Sequence, residues 1–170
     1  MARCLNAGNL IFCYSLLVTE TAAETMKTDE FRWNLLQVRA AEVRAVRAFE
    51  LFREQGIEPI LIKGIAAGRY YPESKPRIAV DTDLAVSAAD LDRAYEIRAR
   101  NAQEGLAIDV HRELRHLDTV AWDDLFAHSV EWELEGGAIR ILRPEDHLRV
   151  LCVHWLTDGA SNKERLWDIY

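Results

Sequence analysis

Several easy readings of this chain are closed off by what it has little of. Its three cysteines, Cys4, Cys13 and Cys152, are odd in number and form no C-x-x-C pair. That excludes a disulfide framework and a zinc knuckle, and points to free thiols in a reducing cytoplasm, with Cys152 as core filler. Positive charge is also short: 21 Lys and Arg against 28 Asp and Glu leave a net charge of −7. An extended nucleic-acid surface needs clustered cations that this balance does not supply. The apolar run Leu10 to Val18 is too short to span a bilayer. Behind a single Arg3, and with Asn6, Gly8 and Asn9 breaking it, it also makes a poor secretory signal, so no membrane association is expected. What remains is 49% apolar content in 170 residues, enough to bury one ordinary core in one domain.

Within that core one stretch is chemically out of place. Ile78 to Val80 and Leu84 to Val86 are the flanks of a buried strand, yet Asp81 and Asp83 interrupt its middle. Residues two apart on a strand share a face, so both carboxylates point the same way. Two like charges there call for a cation, and a hard divalent ion such as Mg²⁺, or Mn²⁺ in its place, takes oxygen ligands of this kind. A solvated strand edge is the plain alternative for Asp-x-Asp by itself. Upstream, 57–62 predicts a short apolar strand that runs into Lys63, Gly64 and a small-residue helix at about 64–71. A strand ending in Gly and opening a helix offers backbone N–H groups to phosphate, with the Lys63 charge beside them. Arg77, in the loop next to the acidic strand, is the better placed of Lys75 and Arg77 to reach a triphosphate. A third carboxylate, Asp109, sits in an apolar strand at 106–110.

The remaining elements follow from periodicity. Asp29 to Gln55 is helical, with Leu35, Val38, Ala41, Ala45, Phe49 and Phe52 as the buried stripe, Asp29 as N-cap and Gly56 as C-cap. A charged helix is expected at 88–104 and a short one from Trp122 to His128, capped by Asp118 or Thr119. Val130 to Leu142 alternates about Gly136-Gly137 as a β-hairpin. Pro144-Glu145-Asp146 opens a last helix with a Leu148, Leu151, Cys152, Trp155 stripe. His111 and His116 are five apart with Glu113 at the wrong offset, which excludes an H-E-x-x-H metalloprotease. His111 shares the strand face of Asp109, where it serves either the metal site or the structure. The fold class is α/β (α+β): a small mixed sheet of four or five strands with helices packed on it.

Taken in order, Leu61-Ile62-Lys63-Gly64, Arg77 with Asp81-Thr82-Asp83-Leu84, Ile108-Asp109-Val110-His111, and Leu142-x-Pro144-Glu145-Asp146 with Leu151-Cys152-Val153-His154 resemble the uncharacterised nucleotidyltransferase family of the DNA polymerase β-like superfamily. The resemblance runs over roughly 30 to 170. It implies an enzyme that moves a nucleoside monophosphate from a nucleoside triphosphate to an unknown acceptor. Asp81 and Asp83 would hold the metals, Asp109 would complete the site and help deprotonate the acceptor, and Lys63, Gly64 and Arg77 would bind phosphates. Only 25 residues lie between Asp83 and Asp109. The family usually places a helix plus an additional strand and loop there, so one strand is expected to be missing.

On this reading 1–28 is an N-terminal extension or leading helix, 29–142 the nucleotidyltransferase-like domain, and 143–170 a truncated C-terminal helical segment whose apolar stripe favours a homo-oligomer. Other classes fit less well. A metal-dependent glycosyltransferase also uses Asp-x-Asp but lacks the Lys-Gly turn. A phosphatase of the haloacid dehalogenase type wants Gly or Thr where Leu84 stands. The missing strand favours a third reading, a non-catalytic relic that binds nucleotide or a partner protein.

Overall fold

A computed structural model of the protein describes residues 7–114, 119–161 and 163–169, without the side chains of 7–26, 164 and 165. The first element, α1 (Ala7–Arg53), is one continuous helix. It passes straight through Asp29, where a cap was expected, because no proline or glycine interrupts the sequence between Asn9 and Gln55. Gly56, at φ +72°, ends it, with the Ile57 amide donating back to the Phe52 carbonyl at 3.0 Å. The chain divides into two compact units, Met1–Leu36 and Gln37–Tyr170. In the first, Phe31, Trp33, Leu35 and Leu36 are exposed, so Leu35 does not join the expected stripe. In the second, Ala41, Ala45, Phe49 and Phe52 are buried at the predicted spacing. Each fully buried Phe contributes about 2–3 kcal/mol relative to an exposed one.

The second unit is built on a mixed sheet, five-stranded among the described residues, ordered β3-β2-β1-β5-β4. The strands are β1 (Ile60–Leu61), β2 (Thr82–Val86), β3 (Ile108–Arg112), β4 (Val130–Leu134) and β5 (Gly137–Ile141). β1 is antiparallel to β2 and parallel to β5, β2 is parallel to β3, and β4 is antiparallel to β5. Among the described residues the α-helices after α1 are α2 (Ile65–Gly68), α3 (Leu91–Arg100), α4 (Trp122–His128) and α5 (Pro144–Thr157). α3 supplies the crossover between parallel β2 and β3. The architecture is the α+β arrangement that the patterning predicts.

Alternation sorts the sheet into two faces. Leu61, Leu84, Val86, Ile108, Val110, Ile139 and Ile141 pack with α1 and with Ala94 and Ile97 of α3. Ile60, Ile62, Ala85 and Leu142 pack on the other side with Leu125 of α4 and Val150 of α5. Asp83, Asp109 and His111 fall in register on this second face.

Several boundaries differ from the periodic reading. The acidic strand begins at Thr82, not at Ile78, and Ile78 and Val80 are exposed. Its neighbours run out there: β1 turns away after Ile62, and β3 starts at Ile108, so Ile78 to Asp81 have no ladder to join. The hairpin turn is Glu135-Gly136, since Leu134 already pairs with Gly137. Ala121, not Thr119, caps α4, and Asp118 lies outside the described residues. α5 buries Asp146, His147, Val150 and Leu151, a face turned from the expected one, and leaves Leu148 exposed. Arg143 Nε donates to buried Asp146 at 2.6 Å, which pairs the buried charge on that face. Cys152 is a half-buried free thiol. Among the described residues no helix is long and apolar enough to cross a membrane.

His147 makes stability sensitive to acid. It is 1% exposed, and burial together with the Arg77 charge pushes its ring from 6.5 to about 4. Between those values the unfolded chain binds a proton that the folded chain refuses. The stabilisation is complete above pH 6.5 and is lost as pH falls toward 4, by about 3 kcal/mol in all. His147→Leu is expected to narrow the difference in urea midpoint between pH 7 and pH 4.5; an unchanged difference would show that the ring is not held neutral.

Candidate active site

The site starts from Asp83, which is 3% exposed. A buried carboxylate needs a compensating cation and hydrogen bonds. Both are local. Lys63 Nζ stands 2.6 Å and His111 Nε2 3.0 Å from Asp83 Oδ1. Burial pushes the Asp83 carboxyl upward, but the His111 and Lys63 hydrogen bonds and the Lys63 charge outweigh it and hold it below the ordinary carboxylate range. The backbone at this point is also pinned, since the Ile62 amide donates to the Asp83 carbonyl at 3.1 Å. Lys63, the next residue, is thereby set beside the carboxylate.

Asp109 is the direct cross-strand partner of Asp83 in the parallel β2–β3 pair. Two residues on, His111 shares its face, with Nε2 3.3 Å from Asp109 Oδ2. Asp109 is exposed, in contrast to Asp83. One ligand atom from each of Asp83, Asp109 and His111 lies within 4.8 Å of the others. The short connection therefore still brings Asp83 and Asp109 together, because a single helix is enough to return the chain to the neighbouring strand.

Gly64 and Arg77 shape the turn beside them. Gly64 adopts φ +62°, and a Cβ there would stand 3.3 Å from the Asp81 carbonyl oxygen. Glycine thus allows the β1–α2 turn to pass close to the start of the acidic strand. Arg77 Nη1 donates to the Gly64 carbonyl at 3.0 Å, while Nε and Nη2 donate to the Asp168 carboxylate at 2.5 and 3.0 Å. Tyr71 donates to the same carboxylate at 2.7 Å. Arg77, expected to face a triphosphate, is here engaged by protein on all three nitrogens and braces the Gly64 turn. Arg44 Nη2 also donates to the Ala79 carbonyl at 3.1 Å, tying the approach to Asp81 back to α1.

Asp81 is exposed at the edge of β2 and does not join the donor grouping of Asp83, Asp109 and His111. Lys63 and His111 border a cleft of about 410 Å³, shared with Ile62, Glu113, Val150 and His154. Its walls combine apolar side chains with a few convergent polar groups, as ligand sites do.

A sequence model of the family described as uncharacterised nucleotidyltransferase matches residues 14–101, just over half of the chain. The chain belongs to this family. The match takes in Lys63, Gly64, Arg77, Asp81 and Asp83 and stops short of Asp109 and His111, which join the site by β2–β3 pairing alone. It also starts earlier than the resemblance drawn from the motifs, within α1. No curated protein and no solved structure matches the chain.

Sequence reasoning missed Tyr71, His147 and Asp168. The first and last carried no local signal. His147 belongs to a His147, Val150, Leu151 stripe offset by one position from the expected stripe that starts at Leu148. Lys63 itself supplies the cation that the buried Asp83 needs. Lys63→Met should therefore destabilise the protein by about 3 kcal/mol, the cost of stranding a buried charge, and adding Asp83→Asn should recover most of it. Denaturant titration of both single variants and the double variant measures this coupling; strictly additive losses would mean that the pair does not act as one unit.

Proposed function

We propose that the protein transfers a nucleoside monophosphate from a nucleoside triphosphate to an acceptor hydroxyl. The observation that supports this most strongly is the pairing of Asp83 with Asp109 on adjacent strands, beside Lys63 and the Gly64 turn, in a chain of the nucleotidyltransferase family. The donor set fits a divalent ion, Mg²⁺ or Mn²⁺, with Asp83 and Asp109 holding it and Asp81 within the same short segment. When bound, such an ion neutralises phosphate charge and stabilises the departing pyrophosphate.

The chain's own groups supply the rest. Lys63 passes its charge from Asp83 to the triphosphate, and the Gly64 turn, braced by Arg77, keeps the backbone close enough to contact phosphate oxygens. Asp109, exposed where Asp83 is not, takes the proton from the acceptor hydroxyl as its oxygen bonds to the α-phosphorus and the bond to pyrophosphate breaks. The cleft beside Lys63 and His111 is of a size to hold a small substrate. A cytoplasmic location, where nucleoside triphosphate is plentiful, accords with this chemistry.

A second reading, a relic that binds nucleotide or a partner protein without catalysis, draws on the closed state of the site, in which Lys63 is spent on Asp83 and Arg77 on Asp168. Incubation with each labelled triphosphate and Mg²⁺ or Mn²⁺ separates the two. Catalysis should release pyrophosphate and label an acceptor, and Asp109→Ala should lower that rate about 100-fold or more while changing triphosphate affinity less. Nucleotide binding without pyrophosphate release under any combination would support the relic instead.

A further inference from the structure

We infer that His111 is itself a ligand of the divalent ion, so that the site is a mixed nitrogen and oxygen set that prefers Mn²⁺ to Mg²⁺. This rests on the proposed metal-dependent reading for its biological use, though the binding can be measured without it. His111 presents Nε2 to both carboxylates at once, 3.0 Å from Asp83 Oδ1 and 3.3 Å from Asp109 Oδ2. Ligand atoms at right angles around one ion, each bonded at about 2.1–2.2 Å, stand about 3.0–3.1 Å apart. The spacing from Nε2 to Asp83 Oδ1 is therefore already that of neighbouring ligands on one ion, and the spacing to Asp109 Oδ2 is wider by only a few tenths of an ångström. A bound ion would replace the hydrogen bond that Nε2 donates to Asp83, with the neutral ring then carrying its proton on Nδ1 and offering the Nε2 lone pair.

Donor chemistry decides which ion gains. Carboxylates suit Mg²⁺ and Mn²⁺ alike, whereas imidazole adds affinity for transition ions and very little for Mg²⁺, which keeps oxygen and water around it. Lys63 occupies the same Asp83 oxygen that His111 faces. Its ammonium supplies Asp83 with the positive charge that a bound ion would also supply, which would leave Lys63 to an anionic substrate group. Asp81, exposed and outside the grouping, leaves the ion's remaining positions open to water or phosphate oxygen.

The test uses the full chain and the metal alone. Pulsed EPR of the Mn²⁺-loaded protein should show nitrogen coupling from a directly bound imidazole, and calorimetry should give Mn²⁺ an affinity about tenfold or more above that of Mg²⁺. His111→Gln should abolish the nitrogen coupling and weaken Mn²⁺ more than Mg²⁺. His111→Asp, which retains a donor in case the glutamine variant folds poorly, should hold Mn²⁺ without nitrogen coupling and close the gap between the two ions. Mn²⁺ bound without nitrogen coupling, coupling that survives both substitutions, or no Mn²⁺ binding at all would each overturn the inference. Nucleotidyl transfer is judged separately by pyrophosphate release: nitrogen coupling without turnover would sink that reading and leave the histidine ligand standing.

Discussion

The buried charge of Asp83 is the constraint to which the surrounding structure answers. A carboxylate with almost no solvent contact is tolerable only if a cation and hydrogen-bond donors reach it. Lys63 and His111 do so from two neighbouring strands, which makes the β1–β2–β3 order a requirement as well as a result of packing. The Ile62 amide on the Asp83 carbonyl sets the height of Lys63, and Gly64 lets the chain turn at once without colliding with Asp81. Arg77 then holds that turn from behind through the Gly64 carbonyl, and Asp168 and Tyr71 hold Arg77. Each partner is fixed by another, so the polar cluster is a chain of satisfied bonds reaching from β1 to the last described turn.

The two faces of the sheet have different tasks. The face under α1 and α3 is closed and apolar, and it carries most of the hydrophobic stabilisation. The opposite face is apolar at β1 and β5 but turns polar where β2 and β3 present Asp83, Asp109 and His111. α4 and α5 pack over the apolar part of that face and leave the cleft at the polar part. Positioning of these polar side chains thus falls to strands braced by a full core behind them, which holds carboxylates and imidazole to narrow spacing.

The connection between Asp83 and Asp109 shows how little chain the arrangement needs. Parallel strands require a crossover, and α3 with its following 3-10 turn is sufficient. No further strand between these carboxylates is needed to bring them together.

The sequence by itself determined the apolar stripe of α1 from Ala41 to Phe52, the hairpin of β4 and β5, the proline-led start of α5 and the mixed α+β class, because these depend on spacing within one element. It also singled out Lys63, Gly64, Asp83 and Asp109, since charge within apolar strands and glycine at a strand end are local anomalies. Whether a strand extends to Ile78 could not be read locally: a strand lasts only as long as its neighbours, and both leave before Asp81. Tertiary structure alone decided that Asp83 is buried and Asp81 exposed, that Lys63 and His111 converge on the same oxygen, and that Arg77 answers to Asp168, 91 positions away. Those outcomes depend on cross-strand register and long-range contact, and no periodicity along one chain encodes which carboxylate will meet a cation and which will meet water.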